Sequence, residues 1–577
     1  MSRTPWMRLL RRALQSNDDV QSAVAARPPA VTQLSFTRRS VLLTSAAATA
    51  GLGSAACGAT PASPQWDARL SDSSRATRVA VVGAGIAGLH CAWRLKEAGV
   101  DVTLFEASNR AGGRMFTTRD SMEGGQVAEL GAELINSGHP VMLALAEELG
   151  QQLDDRTVVE TTGIEKERFF FGGRVVHEHE LATMWRPVAA RMVNDLAAAE
   201  ADPEAFVRLD AQNILEWLDA TGECDPTLRE VLRIAYTAEY GLECEQQSVL
   251  NLMYLIDSAT PEPFRILGDS DERWHVHAGN DAIPGQLATG LGDRLVLESP
   301  LLRVRSLDDG RIAIVVSQGG SANEFVFDHV VLAIPQTLLR LVDLQVADMP
   351  EAKLRSIREV AYGTNAKLMM QFRHPVWRTE HQCTGATYTD NGLGTGWDGS
   401  IGQPGEFGLF TNFVGGNDGL AMGEYSAKWQ AVQQLAKLDE IYPGAAAAWN
   451  THAVRFHWPS STWARGSYLC YGPGQWEFYG VEGQRVGNLH FCGEHTSLDN
   501  QGYMEGGAES GLLVAAEILD GLGADVRPLL ERMMGASAML PQSTFRASRL
   551  QSPRWLARRL WVQRTALAMG NVRRRVG

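Results

Sequence analysis

The sequence predicts a two-domain α/β protein in which one domain of parallel strands and helices is assembled from separated segments of the chain. Three observations lead to this prediction. A strand, a glycine-rich turn and a helix follow one another at residues 79–97. Further apolar, strand-like runs occur far along the chain, at residues 295–297 and 328–335. Helix-rich and mixed segments separate these runs, which indicates that a second, α+β domain is inserted between the pieces of the first.

The first strand, residues 79–82, is a short apolar run that leads directly into three spaced glycines. Gly83 permits a tight turn, Gly85 lets the backbone approach a pyrophosphate, and Gly88 allows the helix to pack closely on the strand. We expect the helix to span residues 89–97. The free N–H groups at the N-terminus of this helix would then face the phosphates of a dinucleotide.

A second strand, residues 102–105, ends in Glu106. In dinucleotide-binding folds, an acid roughly 20 residues after the glycine turn accepts hydrogen bonds from the adenosine ribose. Glu106 lies at about this separation from the turn. A glycine pattern alone is weak evidence, because glycine-rich turns join many strands and helices. Strand, turn, helix and terminal acid in this order predict a Rossmann-like dinucleotide site.

The continuation at residues 109–114, Asn-Arg-Ala-Gly-Gly-Arg, resembles the second pyrophosphate-contacting motif of the flavin-containing amine oxidase family, which includes monoamine, polyamine and L-amino-acid oxidases. The resemblance implies FAD as the cofactor, bound through Arg110, Gly113 and Arg114, with Arg114 neutralising phosphate charge. The alternative is an exposed basic turn. The resemblance also implies the family's two-domain fold, a Rossmann-like FAD-binding domain with an inserted α+β substrate-binding domain.

A closing motif at residues 491–508 closely resembles the C-terminal signature of the same family. The resemblance implies that Gly493 and Glu494 contact the phosphate and ribityl region of FAD. Met504 would open the last helix, whose backbone faces the pyrimidine end of the flavin and stabilises negative charge there. The alternative is a strand-to-helix turn without a ligand.

Segments between these motifs match the family as well. Residues 129–133, Glu-Leu-Gly-Ala-Glu, stand where the family has an acid-Leu-Gly-Ala stretch facing the flavin. After the strand-like run at 295–297, the resemblance assigns the backbone of Leu301 to the adenine. Residues 328–335 predict a strand covered on both faces, because a continuous apolar run suits a buried parallel sheet.

The substrate side is marked by one lysine and two tyrosines. Lys367 interrupts an apolar strand-like run, residues 362–370, where a lysine is uncommon, and the resemblance implies that it holds a water against flavin N5. Tyr468 and Tyr503 match the two walls of the family's aromatic cage, which would orient the amine and exclude water. The alternatives are a surface lysine and tyrosines that only pack the core. Ser467 stands where mitochondrial-type members carry the cysteine that bonds to the flavin, so we expect non-covalent FAD.

The implied reaction transfers a hydride equivalent from the carbon beside nitrogen to the flavin, followed by imine hydrolysis and reoxidation by O2 with release of H2O2. The expected substrate is a primary or secondary amine, polyamines included. The alternative is an L-amino-acid oxidase, although Glu133 and Leu134 stand where those enzymes carry a carboxylate-binding arginine. Glu133 would either suit a cationic amine or hydrogen-bond within the scaffold. Two less favoured alternatives are a dehydrogenase with a protein or quinone acceptor, and a non-catalytic FAD protein that docks on membranes.

These motifs divide the 577 residues into seven segments. We expect an export signal and linker at 1–76, FAD-binding parts at 77–140, 277–348 and 481–522, substrate-domain parts at 141–276 and 349–480, and a basic tail at 523–577. The first substrate-domain part should be helical. Seven cysteines without paired spacing argue against a disulfide framework, and we expect Cys91 and Cys492 to be reduced core residues. The histidines and cysteines show no metal-ligand spacing.

Charge and targeting features restrict the partners and the compartment. The net charge of −14 and the pI near 5.5 argue against nucleic acid as a partner. Residues 37–42, Thr-Arg-Arg-Ser-Val-Leu, and the apolar run 41–56 resemble a twin-arginine export signal, which predicts a periplasmic or extracellular enzyme. Cys57 makes a lipid anchor a less favoured alternative. After Glu531 the tail carries arginines and tryptophans but no acids, which predicts peripheral contact with an anionic membrane or, more simply, a solvated tail.

Overall fold

The computed structural model describes residues 70–160, 163–256 and 264–535. The strands in this part of the chain are β1 (Arg78–Val82), β2 (Asp101–Phe105), β3 (Thr117–Thr118), β4 (Ala128–Glu129), β5 (Leu153–Asp155), β6 (Glu165–Phe171), β7 (Arg174–Val176), β8 (Trp274–Val276), β9 (Leu295–Val296), β10 (Leu301–Ser306), β11 (Ile312–Gln318), β12 (Ser321–Phe327), β13 (His329–Leu332), β14 (Asp343–Gln345), β15 (Ala361–Tyr362), β16 (Ala366–Phe372), β17 (Cys383–Thr389), β18 (Gly394–Asp398), β19 (Gly408–Val414), β20 (Trp449–His457), β21 (Leu469–Cys470) and β22 (Leu489–Phe491).

The α-helices in the same residues are α1 (Asp72–Arg75), α2 (Ile86–Glu97), α3 (Pro140–Glu148), α4 (Glu178–Ala201), α5 (Pro203–Asp210), α6 (Ile214–Asp219), α7 (Pro226–Tyr240), α8 (Val249–Leu255), α9 (Ala282–Leu291), α10 (Gln336–Leu339), α11 (Glu351–Glu359), α12 (Val376–Thr379), α13 (Gly416–Ala421), α14 (Ala427–Ile441), α15 (Ala445–Ala448), α16 (Met504–Gly521) and α17 (Arg527–Met534).

A five-stranded parallel sheet forms the centre of the first domain, in the order β22-β13-β1-β2-β9. β1 pairs with β2 on one side and with β13 on the other, so that Val81 lies opposite both Leu104 and Val331. These three side chains are fully buried, because both faces of the sheet are covered. The strands come from well-separated stretches of the sequence. The predicted α/β fold with a discontinuous Rossmann-like domain is confirmed.

Helix α2 begins at Ile86, three residues before the predicted start at residue 89. The sequence pattern assigned residues 86–88 to the turn, but the structure places them in the first turn of the helix. A Cβ atom at Gly88 would stand 1.9 Å from the Gly83 carbonyl oxygen. Because glycine removes this clash, the helix starts directly after Gly85 and packs against the turn.

The inserted domain is built on a seven-stranded mixed sheet, in the order β20-β16-β19-β18-β17-β6-β7. β6 and β7 precede the middle strands of the first domain in sequence and the other five strands follow them, so two distant segments fold together. Helices α4 to α8 pack in one buried cluster that includes Trp185, Trp217 and Tyr236. Helix α14 adds Leu435 and Leu438 to the cluster on the sheet. This is the α+β architecture predicted for the second domain.

Helix α16 crosses α2 at glycine positions. A Cβ atom at Gly511 would lie 2.1 Å from the Ala87 carbonyl oxygen, and one at Gly507 would lie 2.8 Å from the Ile86 side chain. The two helices therefore pack backbone to backbone. This close packing brings Met504, at the start of α16, into the wall of the same cavity as the start of α2.

The last described helix, α17, folds back onto the first domain through the buried residues Leu529, Leu530 and Met533. The buried Arg94 joins this helix to the core. Its guanidinium donates to both carboxylate oxygens of Glu148, at 2.8 and 2.6 Å, and lies 3.2 Å from the Met533 sulfur. The segment that the sequence marks as a basic tail thus begins with a packed helix.

Three sequence predictions fall outside the described residues: the twin-arginine motif, the lipid anchor at Cys57, and the tail from residue 536 onward. Six cysteines are described, all of them are free thiols, and Cys91 and Cys492 are buried. The prediction of reduced core cysteines is confirmed for these two. In the described ranges, no group of His, Cys, Asp and Glu side chains could hold a metal ion. No described helix is long and apolar enough to cross a membrane.

Candidate active site

A cavity lies where the carboxyl ends of the parallel strands meet the inserted domain, the usual ligand position in an open α/β sheet. Its volume is about 250 Å³, and we refer to it as the inner cavity. The residues predicted from the sequence that line it are Gly85, Arg114, Lys367, Tyr468, Gly493, Glu494, Tyr503 and Met504. Motifs that are hundreds of residues apart therefore meet in one place.

One end of the inner cavity is a cradle of backbone atoms. The Gly112 N–H donates to the Ala84 carbonyl at 2.8 Å, and a Cβ atom at Gly113 would lie 3.2 Å from Gly85 Cα. A Cβ atom at Gly85 would meet no atom within 4 Å, so the space beside it is open. Helix α2 starts here without a side-chain cap, and its first N–H groups are oriented to bind an anion. The two glycine motifs together form a site of the kind that a pyrophosphate requires.

Arg114 links this cradle to the closing motif. Its Nη1 donates to the Ser467 carbonyl at 2.6 Å and to Glu494 Oε1 at 2.9 Å. The other carboxylate oxygen of Glu494 accepts the Gly502 N–H at 2.9 Å. Arg114 keeps about a quarter of its side chain exposed, so its guanidinium retains donors for a phosphate. One ion pair thus fixes the relative position of two predicted cofactor motifs.

Two predicted cofactor residues lie beside the cradle but not in the walls of the inner cavity. The Glu106 carboxylate accepts the Ala84 N–H at 2.7 Å and the Ser108 N–H at 2.8 Å, and it keeps lone pairs for ribose hydroxyls. Leu301 begins β10, two residues after Ser299, whose N–H donates to the Glu106 carbonyl at 2.7 Å. Both residues therefore lie on the adenosine side of the turn. Their contacts with FAD stay predictions.

Arg110 is folded onto its own loop and does not reach the inner cavity. Its guanidinium donates to the carbonyls of Gly113 at 2.6 Å and of Ala111 at 3.2 Å, and it lies 3.9 Å from the centre of the Phe116 ring. These contacts hold the shape of the glycine loop. They account for an arginine at this position by contacts within the protein alone. A direct contact between Arg110 and a phosphate of FAD stays a prediction.

Lys367 is buried in β16 and its head group reaches the inner cavity. The Nζ donates to the Gly131 carbonyl and to Glu133 Oε2, both at 2.7 Å. It also lies 5.2 Å from the centre of the Trp397 ring. A surface lysine, the alternative left open by the sequence, is therefore wrong. The contact between this lysine and a water at flavin N5 remains a prediction.

Glu133 belongs to the scaffold of the cavity. Its second carboxylate oxygen accepts the Trp397 indole N–H at 2.7 Å. Burial alone would raise the pKa of Glu133, but the charges of Lys367 and Arg156 hold the pKa below its usual value. Both oxygens of this ionised carboxylate are engaged. Of the two roles that the sequence left open, hydrogen bonding within the scaffold agrees with the structure.

Tyr468 and Tyr503 both line the inner cavity, and one residue, Glu239, holds both hydroxyl groups. The Tyr468 hydroxyl donates to the backbone carbonyl of Glu239, and the Tyr503 hydroxyl lies 3.4 Å from Glu239 Oε1. Burial raises the pKa of both tyrosines well above the usual value, so their hydroxyls stay protonated. The Ser467 hydroxyl donates to Asn365. The two rings are therefore held in fixed positions in the cavity wall.

Two acidic residues of the inner cavity could not be found from the sequence. Glu239 lies near the C-terminal end of α7, and Glu272 lies in the loop before β8 with a left-handed φ of 45°. Burial raises the pKa of Glu239 to about 7, and it raises the pKa of Glu272 as well. Neither residue belongs to a motif. No local pattern shows that a helix end and a distant loop line the same cavity.

Comparisons with known proteins agree with this geometry. A family model described as "Flavin containing amine oxidoreductase" matches residues 86–519. The chain belongs to the flavin-containing amine oxidoreductase family. It is accordingly a flavin-dependent oxidoreductase that acts on amines, and FAD is its cofactor.

Individual relatives of this family member include oxidases of both amines and amino acids. It is 25% identical over 484 residues to an L-amino-acid oxidase of Mus musculus, covering 79% of this chain and 72% of the relative. It is 24% identical over 481 residues to the flavin-containing amine oxidase A of Sus scrofa, covering 79% and 87%. A cyclohexylamine oxidase from Brevibacterium oxydans has a similar structure, with 20% identity, a TM-score of 0.66, and coverage of 78% of this chain and 99% of that one. A putrescine oxidase bound to putrescine has 21% identity, a TM-score of 0.65, and coverage of 77% and 99%. At these identities, the two structures support the fold alone.

The residues of the cavity fit FAD. The open space at Gly85 and the uncapped N-terminus of α2 suit the pyrophosphate, with Arg114 as a cation beside it. Helix α16 also starts without a side-chain cap, at Met504 in the cavity wall, where its N-terminus suits the electron-rich pyrimidine end of the flavin. Ser467 has no thiol to bond to the ring. These features agree with non-covalent binding of FAD.

Proposed function

We propose that this family member catalyses the oxidative deamination of a primary or secondary amine. Amine, O2 and water would give a carbonyl compound, ammonia or a smaller amine, and H2O2. When bound, FAD accepts the hydride equivalent from the carbon beside nitrogen and passes the electrons to O2. The observation that carries this proposal is the composition of the substrate end of the inner cavity, which is aromatic and acidic.

Acidic groups set the charge at the substrate end. Lys367 and Glu133 neutralise each other, whereas Glu239 and Glu272 are further carboxyl groups in the same walls. Among the described residues that line the inner cavity, Arg114 is the one arginine, and it is paired with Glu494 at the cofactor end. A cavity of this charge attracts an ammonium group and repels a carboxylate. This favours an amine over an amino acid.

The aromatic walls suit the chemistry of an amine. Two fixed tyrosine rings attract the nitrogen through ring electrostatics and keep water away from it. Burial disfavours the charged ammonium form, so the site favours the neutral amine that has a free lone pair. We propose that Lys367, held by Glu133 and the Gly131 carbonyl, positions a water against N5 of the bound flavin.

A peroxide-coupled screen of the purified holoenzyme tests this function. The panel should contain benzylamine, cyclohexylamine, putrescine, spermidine and the L-amino acids. We expect H2O2 and a carbonyl product from at least one amine, and none from the amino acids. Peroxide from amino acids alone would replace the proposal with an L-amino-acid oxidase. Anaerobic bleaching by an amine without recovery in air would indicate a dehydrogenase, and no bleaching by any compound would indicate a non-catalytic flavoprotein.

We also propose that the enzyme is exported through the twin-arginine route and acts outside the cytoplasm. The support is the motif at residues 37–42 and the apolar run that follows it. This route carries folded proteins, which suits an enzyme that binds FAD before export. Replacing Arg38 and Arg39 by lysine should retain yellow protein in the cytoplasm, whereas unchanged export would contradict the route.

A separate proposal concerns the tail, whose arginines and tryptophans suit peripheral contact with an anionic membrane. Co-sedimentation with vesicles that contain phosphatidylserine should decrease when the chain is truncated after residue 535. Equal binding by both proteins would contradict this contact.

A further inference from the structure

We propose that Glu239 is the base that accepts a proton from the substrate ammonium group before the amine is oxidised. This role rests on the proposed amine oxidase function. It makes Glu239, which lies outside every sequence motif, responsible for one step of that reaction. It follows from the position of the Glu239 carboxyl group beside both cage tyrosines.

The backbone of Glu239 is fixed by the cage itself. The last carbonyls of a helix have no partner within the helix. Helix α7 ends at Tyr240 and is capped by Gly241 in the left-handed conformation, with φ of 76°. The Tyr468 hydroxyl satisfies one of these carbonyls, that of Glu239. The Glu239 side chain then extends to Tyr503, with 3.4 Å between the hydroxyl and Oε1. An amine nitrogen between the two rings would lie next to this carboxyl group.

No protein cation pairs with Glu239 among the described residues. The titratable groups that face it are Tyr236, Tyr240, Tyr388, Tyr468, Tyr503 and Glu272. The nearby lysine of the cavity, Lys367, is already paired with Glu133. A substrate ammonium group would therefore be the counter-ion of this carboxylate. Burial, with a smaller contribution from the charge of Glu272, raises the pKa of Glu239 to about 7, near the pH at which a base is most effective.

Proton transfer in this setting removes two buried charges at once. One N–H bond of the ammonium group breaks and one O–H bond forms on Glu239, so an ion pair becomes a neutral amine and a neutral carboxylic acid. A dry environment favours the neutral pair. The amine gains the lone pair that its oxidation requires. Glu272 then offers a route for the proton, because it lies in the wall that the inner cavity shares with a second cavity, lined also by Arg156 and Glu167.

The variant Glu239→Gln tests the role because it keeps the shape and the contacts of the side chain. An amide oxygen still accepts from Tyr503, and the Tyr468 contact is to the backbone. The matched control is Tyr503→Phe, which removes the hydroxyl contact but keeps the acid. Flavin reduction by an amine that is active in the peroxide screen should be followed anaerobically by stopped flow, from about pH 6 to pH 10.

In the wild type, we expect reduction to slow as the pH falls below about 7, because Glu239 is then protonated. In Glu239→Gln, reduction at pH 7 should fall by about 100-fold or more. It should recover by about tenfold for each pH unit toward the pKa of the free amine, near 10.4 for an alkylamine. Tyr503→Phe should keep the loss of rate at low pH, with its midpoint moved to a higher pH, because the hydrogen bond that this variant lacks lowers the pKa of Glu239 in the wild type. Rates of Glu239→Gln that equal the wild type, or that fall equally at every pH, would overturn the proposal.

Proton release on ligand binding gives a second readout without turnover. tert-Butylamine has no hydrogen on the carbon beside nitrogen, so it can bind but cannot be oxidised. Calorimetry at about pH 8.5 in buffers of different ionisation enthalpy should show almost no proton release from the wild type and about one proton from Glu239→Gln. No release from the variant would contradict the role of Glu239. If no amine reduces the wild-type flavin, the proposed function itself fails, which separates the two outcomes.

Discussion

Replacing Gly85 and, in a second protein, Gly88 by alanine should separate cofactor binding from helix packing. A Cβ atom at Gly88 would lie 1.9 Å from the Gly83 carbonyl oxygen and 3.0 Å from the Ala333 Cβ. Contacts between such atoms are optimal at about 3.5–4.0 Å, so α2 must shift by more than about 1 Å. We expect Gly88→Ala to lower the free energy of unfolding of the apoprotein by at least about 1–3 kcal/mol.

Gly85→Ala should have the opposite profile. A Cβ atom there meets nothing within 4 Å, and the backbone φ of −74° is favourable for alanine. Alanine is a poorer N-cap residue than glycine by about 1 kcal/mol, so the apoprotein should lose no more stability than this. The added methyl group would occupy the space beside the helix N-terminus where the pyrophosphate is expected. We expect the Kd for FAD to rise at least tenfold, which corresponds to about 1.4 kcal/mol.

Two assays measure these effects independently. Urea unfolding of both apoproteins gives the change in stability, and quenching of flavin fluorescence during titration with FAD gives the Kd. Wild-type affinity for FAD in Gly85→Ala would refute the assignment of the cradle to the pyrophosphate. A Gly88→Ala apoprotein with the same free energy of unfolding as the wild type would refute the packing argument for the start of α2.

Three further single variants, and one double variant, test the site and its scaffold. Lys367→Met should retain FAD but slow the reoxidation of reduced flavin by O2, measured by stopped flow, and an unchanged rate would contradict the proposed water site. The same change leaves Glu133 buried without its cation, so the free energy of unfolding should fall by about 3–5 kcal/mol. The double variant that also carries Glu133→Gln should regain part of this stability. Tyr503→Leu should lower amine turnover at least about tenfold with unchanged FAD content, and full activity would exclude the cage. Burial alone would raise the pKa of Glu148, but the hydrogen bonds and charge of Arg94 hold it below its usual 4.5. Its carboxylate therefore stabilises the fold above pH 4.5, and the stabilisation is lost as the pH falls below this value. Urea unfolding should show Glu148→Gln to be destabilised by up to about 3 kcal/mol at pH 7 and progressively less toward pH 3, whereas a constant difference would contradict the argument.

Local patterns were sufficient for the cofactor side of the molecule. Glycine is required at residue 83 by a φ of 103° and at residue 88 by the close Gly83 carbonyl, and both requirements arise within a few residues. Gly85 instead leaves open space beside the turn. The resemblance to a family added Arg114 and Glu494, and the structure brings these two residues into contact at 2.9 Å. The predicted start of α2 was wrong by three residues. The helix packs so closely on the glycine turn that a sequence pattern does not show where the turn ends and the helix begins.

The substrate side depends on contacts between distant segments, which no local pattern records. Glu133 and Lys367 are 234 positions apart, and only the fold shows that they form an ion pair. Glu239 lies on a helix of the inserted domain, whereas the two tyrosines that it holds come from near the end of the chain. Arg110 could be assigned to a motif, but its orientation toward the loop carbonyls depends on Phe116 and the turn itself.

Anaerobic titration of the purified protein with an amine tests most directly whether these distant segments hold a flavin that oxidises a C–N bond. The protein, expressed with ample riboflavin, should be yellow, and one equivalent of a substrate amine should bleach one equivalent of flavin. Air should then restore the colour and release one equivalent of H2O2. Folded protein that remains colourless, or yellow protein that no amine bleaches, would contradict the assignment of the site.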